Sequence, residues 1–196
     1  MKKILWTIVL SINVVFAEAQ EKILTNHQNM ENKTSTLRLI YPQWQGGIVD
    51  HWMPDLPADD ASRGYYLGAR LLNFLAPESS QKTAEVPVSL DINDRETEKG
   101  ISARRVILKQ TKAALEILRK NDPGKIVTLG GECAVSVVPF TCLAEKYPDD
   151  VAIVWIDAHP DVNLPYDDYK GYHAMALTAC LGMGDKEITG LLPAKF

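Results

Sequence analysis

Nowhere in this sequence do basic residues interleave with aromatics to form a patch. The formal net charge is −4, so the long-range field steers the chain toward neither nucleic acid nor an anionic membrane surface. Cysteine is scarce. Cys133, Cys142 and Cys180 are too few and too widely spaced for a disulfide framework or a zinc knuckle, and three thiols cannot all pair within one chain. That scarcity suits a reducing compartment. No internal repeat is visible. The one nearly unbroken apolar run, residues 4–16, is short for a membrane span. It follows Lys2 and Lys3, and Val15 and Ala17 stand where a signal peptidase reads, so residues 1–17 read as an export signal or, alternatively, as a buried first element. Met30 stands just before the first convincing strand. With translation starting there, residues 1–29 are an upstream extension and the protein is cytoplasmic. With residues 1–17 in place it is exported. Residues 30–196 then form one α/β domain, and a chain with 46% hydrophobic and 23% charged residues can bury a sizeable core.

The pattern along the chain alternates strands and helices. Residues 37–42 read as a strand. Gly68, Leu71, Leu72 and Leu75 recur at three and four and predict a helix over 63–76, stopped by Pro77. Residues 85–92 are a short strand weakened by Pro87. A long helix follows over 101–120, with Ile107, Leu108, Ala114, Leu115 and Leu118 as its apolar stripe and "NDPG" as its stop. "KIVTLGG" is a strand running into two glycines. The stretch from Glu132 to Tyr147 predicts a helix kinked by Pro139. Residues 151–156 predict the next strand, and a last helix opens near Ala176. This alternation predicts a three-layer α/β/α fold with a mostly parallel sheet. Ligand sites in such sheets lie beyond the carboxyl ends of the strands, where "GGEC" and "DAHPD" both fall.

Asp157, His159 and Asp161 stand at strict two-residue spacing after the most apolar strand. If the extended course persists, the three side chains converge on one side. Two carboxylates that close repel unless a cation or a proton lies between them. Mixed carboxylate and imidazole ligands suit manganese, iron, zinc or nickel better than calcium. The alternative is a loop whose aspartates cap turns and whose histidine is incidental.

The stretch "WIDAHPD" resembles the ureohydrolase family, which comprises arginase, agmatinase, formimidoylglutamase and their relatives. The family's Asp-Ala-His-x-Asp motif is matched in full by residues 157–161, its Gly-Gly-Asp-His motif imperfectly by "GGEC" at 130–133, and its downstream histidine loop by "HAMA" at His173. The resemblance covers residues 37–185. It implies an arginase-like fold and a site for two Mn2+ ions. By that implication Asp157 bridges the ions, His159 binds one and Asp161 the other, while His173 shuttles protons or assists the substrate. The implied reaction is metal-dependent hydrolysis of a linear C–N bond in a small guanidino or amidine substrate, with Asp157 and His173 as the catalytic side chains and without a nucleic-acid or membrane partner.

The sequence departs from the family pattern in two places. Cys133 stands where the family has a metal-binding histidine. As a thiolate it favours Zn2+ or Fe2+ over Mn2+, and as a free cysteine it is equally a small packing residue. Cys142 and Cys180 read as packing residues. The family's later Ser-x-Asp-x-Asp motif, whose aspartates complete both metal shells, has no match after Asp185. Family members also insert later strands between the "GG" strand and the "DAHPD" strand. The expectation is therefore an apparently truncated sheet with a gap, an assembly that is a homo-oligomer or needs a complementing chain, and an isolated chain that is inactive: a fragment or a binding remnant of the fold.

Overall fold

A computed structural model describes Gln20 and residues 35–196, so the readings of the export signal and of the boundary at Met30 lie outside the described residues. β1 (Thr36–Tyr41) is the middle of a three-stranded sheet, with β2 (Lys82–Glu85) and β3 (Lys125–Gly130) parallel to it on either side. Leu37 stands opposite Lys82 and Ile126, and Ile40 opposite Glu85 and Leu129. Two-residue alternation sends Leu37, Leu39 and Tyr41 to one face, where they pack on Ala114, Leu115 and Leu118 of α3 (Arg104–Asn121). Val138 of α4 (Val137–Lys146) joins the same cluster. On the opposite face Arg38 reaches Asn73 of α2 (Ala58–Leu75) with a hydrogen bond of 3.5 Å. Helices on both faces of a parallel sheet give the three-layer α/β/α arrangement that the alternation predicts.

Several boundaries move for identifiable reasons. α2 starts at Ala58, behind Pro57, with Asp59 and Asp60 in the first turn where the helix dipole favours carboxylates. β2 lies at Lys82–Glu85 and shares only Glu85 with the expected 85–92; residues beyond Pro87 form no strand, although Val86 still donates to the Ile40 carbonyl at 2.9 Å. The expected kink at Pro139 does not arise. Pro139 lies in the first turn of α4, where an amide has no partner within the helix to lose. A short helix, α1 (Val49–Trp52), precedes α2.

Residues 151–156 are the main correction. Their alternation survives, with Ile153 and Trp155 packed on the core and Val154 80% and Ile156 93% exposed. They form no strand, because no neighbouring strand among the described residues takes up their backbone groups. β3 is correspondingly an edge strand, with Val127 46% exposed.

A second core gathers Ile101 and Ile107 with Met175 and residues of α5 (Ala176–Cys180), and Ile188 of α6 (Lys186–Thr189) closes it. A buried ion pair fastens that end. Arg104 donates from Nε and Nη2 to the two oxygens of Asp185, each at 2.9 Å, and both side chains are 4% exposed. Asp185 also caps α6 by accepting from the backbone N–H of Glu187 and Ile188 at 3.0 Å. Among the described residues, no helix is long and apolar enough to cross a membrane.

The pair makes stability depend on acid pH. Burial works against the Asp185 charge, but Arg104 and the capped N–H groups outweigh it and hold its carboxyl below the usual range. Its contribution is therefore full above the unfolded carboxyl value of about 3.9 and is lost as pH falls through the lower folded value. Asp185→Ala is expected to cost about 3 kcal/mol at pH 7, the low end for breaking a buried pair, since Glu187 keeps one contact to Arg104 at 2.6 Å. Urea unfolding of both proteins from pH 7 down to pH 3 should show that difference shrinking only below about pH 4.

Candidate metal centre

The site starts where β1 and β3 leave the sheet. The Gly131 N–H donates to the Tyr41 carbonyl at 3.1 Å. A Cβ on Gly131 would stand 1.9 Å from the Gln43 carbonyl oxygen, so only glycine lets the two exits touch. Glu132 follows in extended geometry with its carboxylate buried. That carboxylate accepts from Gln43 Nε2 and, at 2.7 Å, from the Ala134 N–H, capping the single turn Cys133–Ser136. Burial pushes the Glu132 carboxyl up to about 7 against those two hydrogen bonds, and the charge of Asp161 adds to the rise. Cys133 thereby stands at the mouth of β3.

The loop at 157–161 supplies the second arm, and its extended course fails at once. Asp157 Oδ1 accepts the His159 N–H at 3.0 Å, which bends the chain. The His159 ring, 76% exposed, points outward with Nδ1 3.9 Å from Asp157 Oδ1. Asp161 takes a left-handed backbone, φ +48°, which aspartate tolerates better than most side chains. Its carbonyl accepts the N–H of Leu177 at 3.0 Å, and Asn163 donates to Ala174 at 2.9 Å. These bonds tie the loop to residues 172–180. They turn the Asp161 carboxylate inward, where the residue is 2% exposed and Oδ2 has no hydrogen-bond partner among the described residues.

His173 is the third arm, on the turn Tyr172–Met175. Its Nε2 lies 2.8 Å from the Tyr169 hydroxyl, which donates to the Gly47 carbonyl at 3.0 Å and accepts from Trp52 Nε1 at 3.1 Å. A carbonyl only accepts, so the single hydroxyl proton goes to Gly47. His173 must then donate from Nε2, which leaves the Nδ1 lone pair facing Cys133 Sγ at 3.9 Å. Burial keeps this histidine below its ordinary range and hence neutral.

The ligand-capable atoms of Cys133, Asp161 and His173 all lie within 4.8 Å of one another. Cys133 Sγ also donates to Asp157 Oδ2 at 3.4 Å. Burial, with Asp161 and the other carboxylates beside it, raises the Cys133 thiol well above its ordinary range. Burial likewise raises Asp161. Asp157, on the rim, is held low chiefly by the His159 N–H. The structure thus gathers Cys133, Asp161 and His173, sets Asp157 at their edge and leaves His159 outside. Cys142 and Cys180 pack in the two cores. Sequence reasoning missed Gln43 and Tyr169. The only signal for Tyr169 was its place four residues before His173.

Comparison with known proteins places these elements in context. The profile of the Arginase family matches residues 69–189. The chain is 31% identical over 71 residues to the arginase of Entamoeba histolytica, 35% of this chain and 24% of that protein. It is 32% identical over 74 residues to the arginase of Plasmodium berghei, 37% of this chain and 20% of that protein. The matched stretches span about a quarter or less of those relatives. The crystal structure of Entamoeba histolytica arginase in complex with L-ornithine superposes with a TM-score of 0.57 at 16% identity, covering 83% of this chain and 54% of that one, which supports the fold alone.

The joint at Gly131 admits a direct check. Gly131→Ala is expected to lose about 2 kcal/mol or more, because the methyl meets backbone and neither exit can yield without moving β1. Thermal denaturation measures the loss. A variant as stable as the parent would refute the close approach.

Proposed function

This chain belongs to the arginase family, and on that premise we propose that its site serves metal-dependent hydrolysis of a linear C–N bond in a small guanidino or amidine substrate. The observation that carries the reading is the meeting of Cys133, Asp161 and His173 at the carboxyl end of the sheet, in a chain of this family. A divalent ion at such a site supplies Lewis acidity toward water and an amidine group. The side chains add the rest. Asp157, on the rim and partly exposed, keeps lone pairs beyond those that take the His159 N–H and Cys133, and these are available to a cationic substrate. His173, held by Tyr169 through Nε2, presents its Nδ1 lone pair to the ion. The two-ion set implied by the resemblance does not fit the described residues, which hold one group of three ligands that excludes His159.

A second reading, a binding or assembly remnant of the fold, rests on a specific observation. Among the described residues β3 is an edge and residues 151–156 lack a strand partner, while Leu71, Phe74 and Leu75 of α2 are exposed. Such faces invite a second copy of the chain. A charge at the most exposed position, Ile156→Lys, is expected to shift size-exclusion elution toward monomer.

Urea release from arginine, agmatine and guanidino acids by the metal-loaded chain separates the two readings. The hydrolase reading requires release that depends on metal and disappears in Asp161→Asn. A metal-dependent thermal shift with these compounds and no urea selects the remnant. Neither shift nor urea removes the hydrolase reading and leaves assembly, which the elution of Ile156→Lys decides.

A further inference from the structure

We propose that Cys133, Asp161 and His173 bind one zinc-class ion through Sγ, a carboxylate oxygen and Nδ1, in place of the manganese pair that the family resemblance implies. The inference deepens the hydrolase reading by naming its ion. Binding is measurable without turnover, so either reading can fail alone.

Four observations converge. The first is the buried Asp161 Oδ2, which has no hydrogen-bond partner among the described residues, in a residue 2% exposed. A buried carboxylate oxygen normally has one, and a cation beside it would satisfy it. The second is the tautomer of His173. Tyr169 holds Nε2–H, so the lone pair on Nδ1 is aimed at the cluster, as the outer hydrogen bond of a metal-bound imidazole commonly arranges.

The third is distance. Zinc bonds of about 2.3 Å to sulfur and 2.0–2.1 Å to nitrogen, at tetrahedral angles, put sulfur and nitrogen about 3.6 Å apart. Cys133 Sγ and His173 Nδ1 are 3.9 Å apart, so a movement of a few tenths of an ångström, within reach of side-chain torsions, closes the site. The fourth is the donor set. A thiolate, an imidazole and a carboxylate with one position left open match catalytic zinc, and a thiolate disfavours manganese. His159, which the two-ion arrangement needs, stays in solvent. On binding, the Cys133 S–H bond breaks, its proton passes to solvent and the sulfur pair goes to the ion.

Cobalt, zinc and manganese titrated separately into the metal-free 196-residue chain test this. The expected result is one equivalent of Co2+ or Zn2+ per chain, with zinc preferred over manganese by at least ~10-fold. Co2+ should show sulfur-to-metal charge-transfer absorption, lost in Cys133→Ser while the circular dichroism is unchanged. Zinc should protect Cys133 from alkylation, read by mass mapping of its peptide. Tyr169→Phe should weaken binding about 10–100-fold through the freed imidazole. His159→Ala should leave the affinity unchanged. Three outcomes overturn the proposal: two manganese ions per chain with one lost in His159→Ala, cobalt bound without the sulfur band, or a folded chain that takes up no ion.

Discussion

The contact on which the site depends is the touch between the exits of β1 and β3. Gly131 lies against the Gln43 carbonyl so closely that no side chain fits between them. The Gln43 side chain then reaches the Glu132 carboxylate, which in turn caps the turn that carries Cys133. Hydrophobic burial of Leu37, Leu39 and Tyr41 sets the strands in register, but it is non-directional and cannot aim a thiol. The aim comes from this chain of directional bonds. A buried carboxylate in that chain is costly unless its bonds are made, so the joint is either formed whole or badly strained.

The second half of the site is built by different means. Cys133 follows a strand that pairs along its full length with β1. Asp157 and Asp161 follow residues 151–156, which pair with no strand among the described residues. What fixes Asp161 is its carbonyl bond to Leu177 and the bond from Asn163 to Ala174. Those bonds import the order of α5, which sits in the second core beside the buried Arg104–Asp185 pair. Distant residues of the chain therefore support opposite walls of one small cluster.

This difference explains what could be read in advance. The parallel sheet, the flanking helices and the placement of both motifs at strand ends follow from period and turn chemistry, because each is local or nearly so. The edges that moved did so through local rules as well: Pro139 is harmless in a first turn, and Pro87 confines β2 to the residues before it. Apolar alternation makes 151–156 read as a strand and carries no information about a neighbour; the gap beside it follows only from the family resemblance, and without a partner among the described residues the segment forms no strand. The inward turn of Asp161 and the outward turn of His159 were hidden for a related reason. Two-residue spacing gives a common face only while the backbone stays extended, and the Asp157 side chain itself bends it by taking the His159 amide.

Cys133 has the same lesson in chemical form. From sequence, a lone cysteine in a family position for histidine reads equally as a ligand or as packing. Packing alone would place its sulfur among apolar atoms, as it does for Cys180, which lies in the second core. Cys133 packs against the edge of that core as well, but its sulfur also touches Asp157 and faces Asp161 and His173. Carboxylate neighbours of that kind suit the half-buried thiol only while it keeps its proton, and they suit its thiolate once positive charge sits among them. An ion there would also join the well-paired arm at β3 to the unpaired arm at 157–161. Since it binds only when both arms are in place, its affinity adds to the stability of the fold through mass action. The unpaired segment beside the sheet and the chemistry of the site are then coupled through the same three side chains.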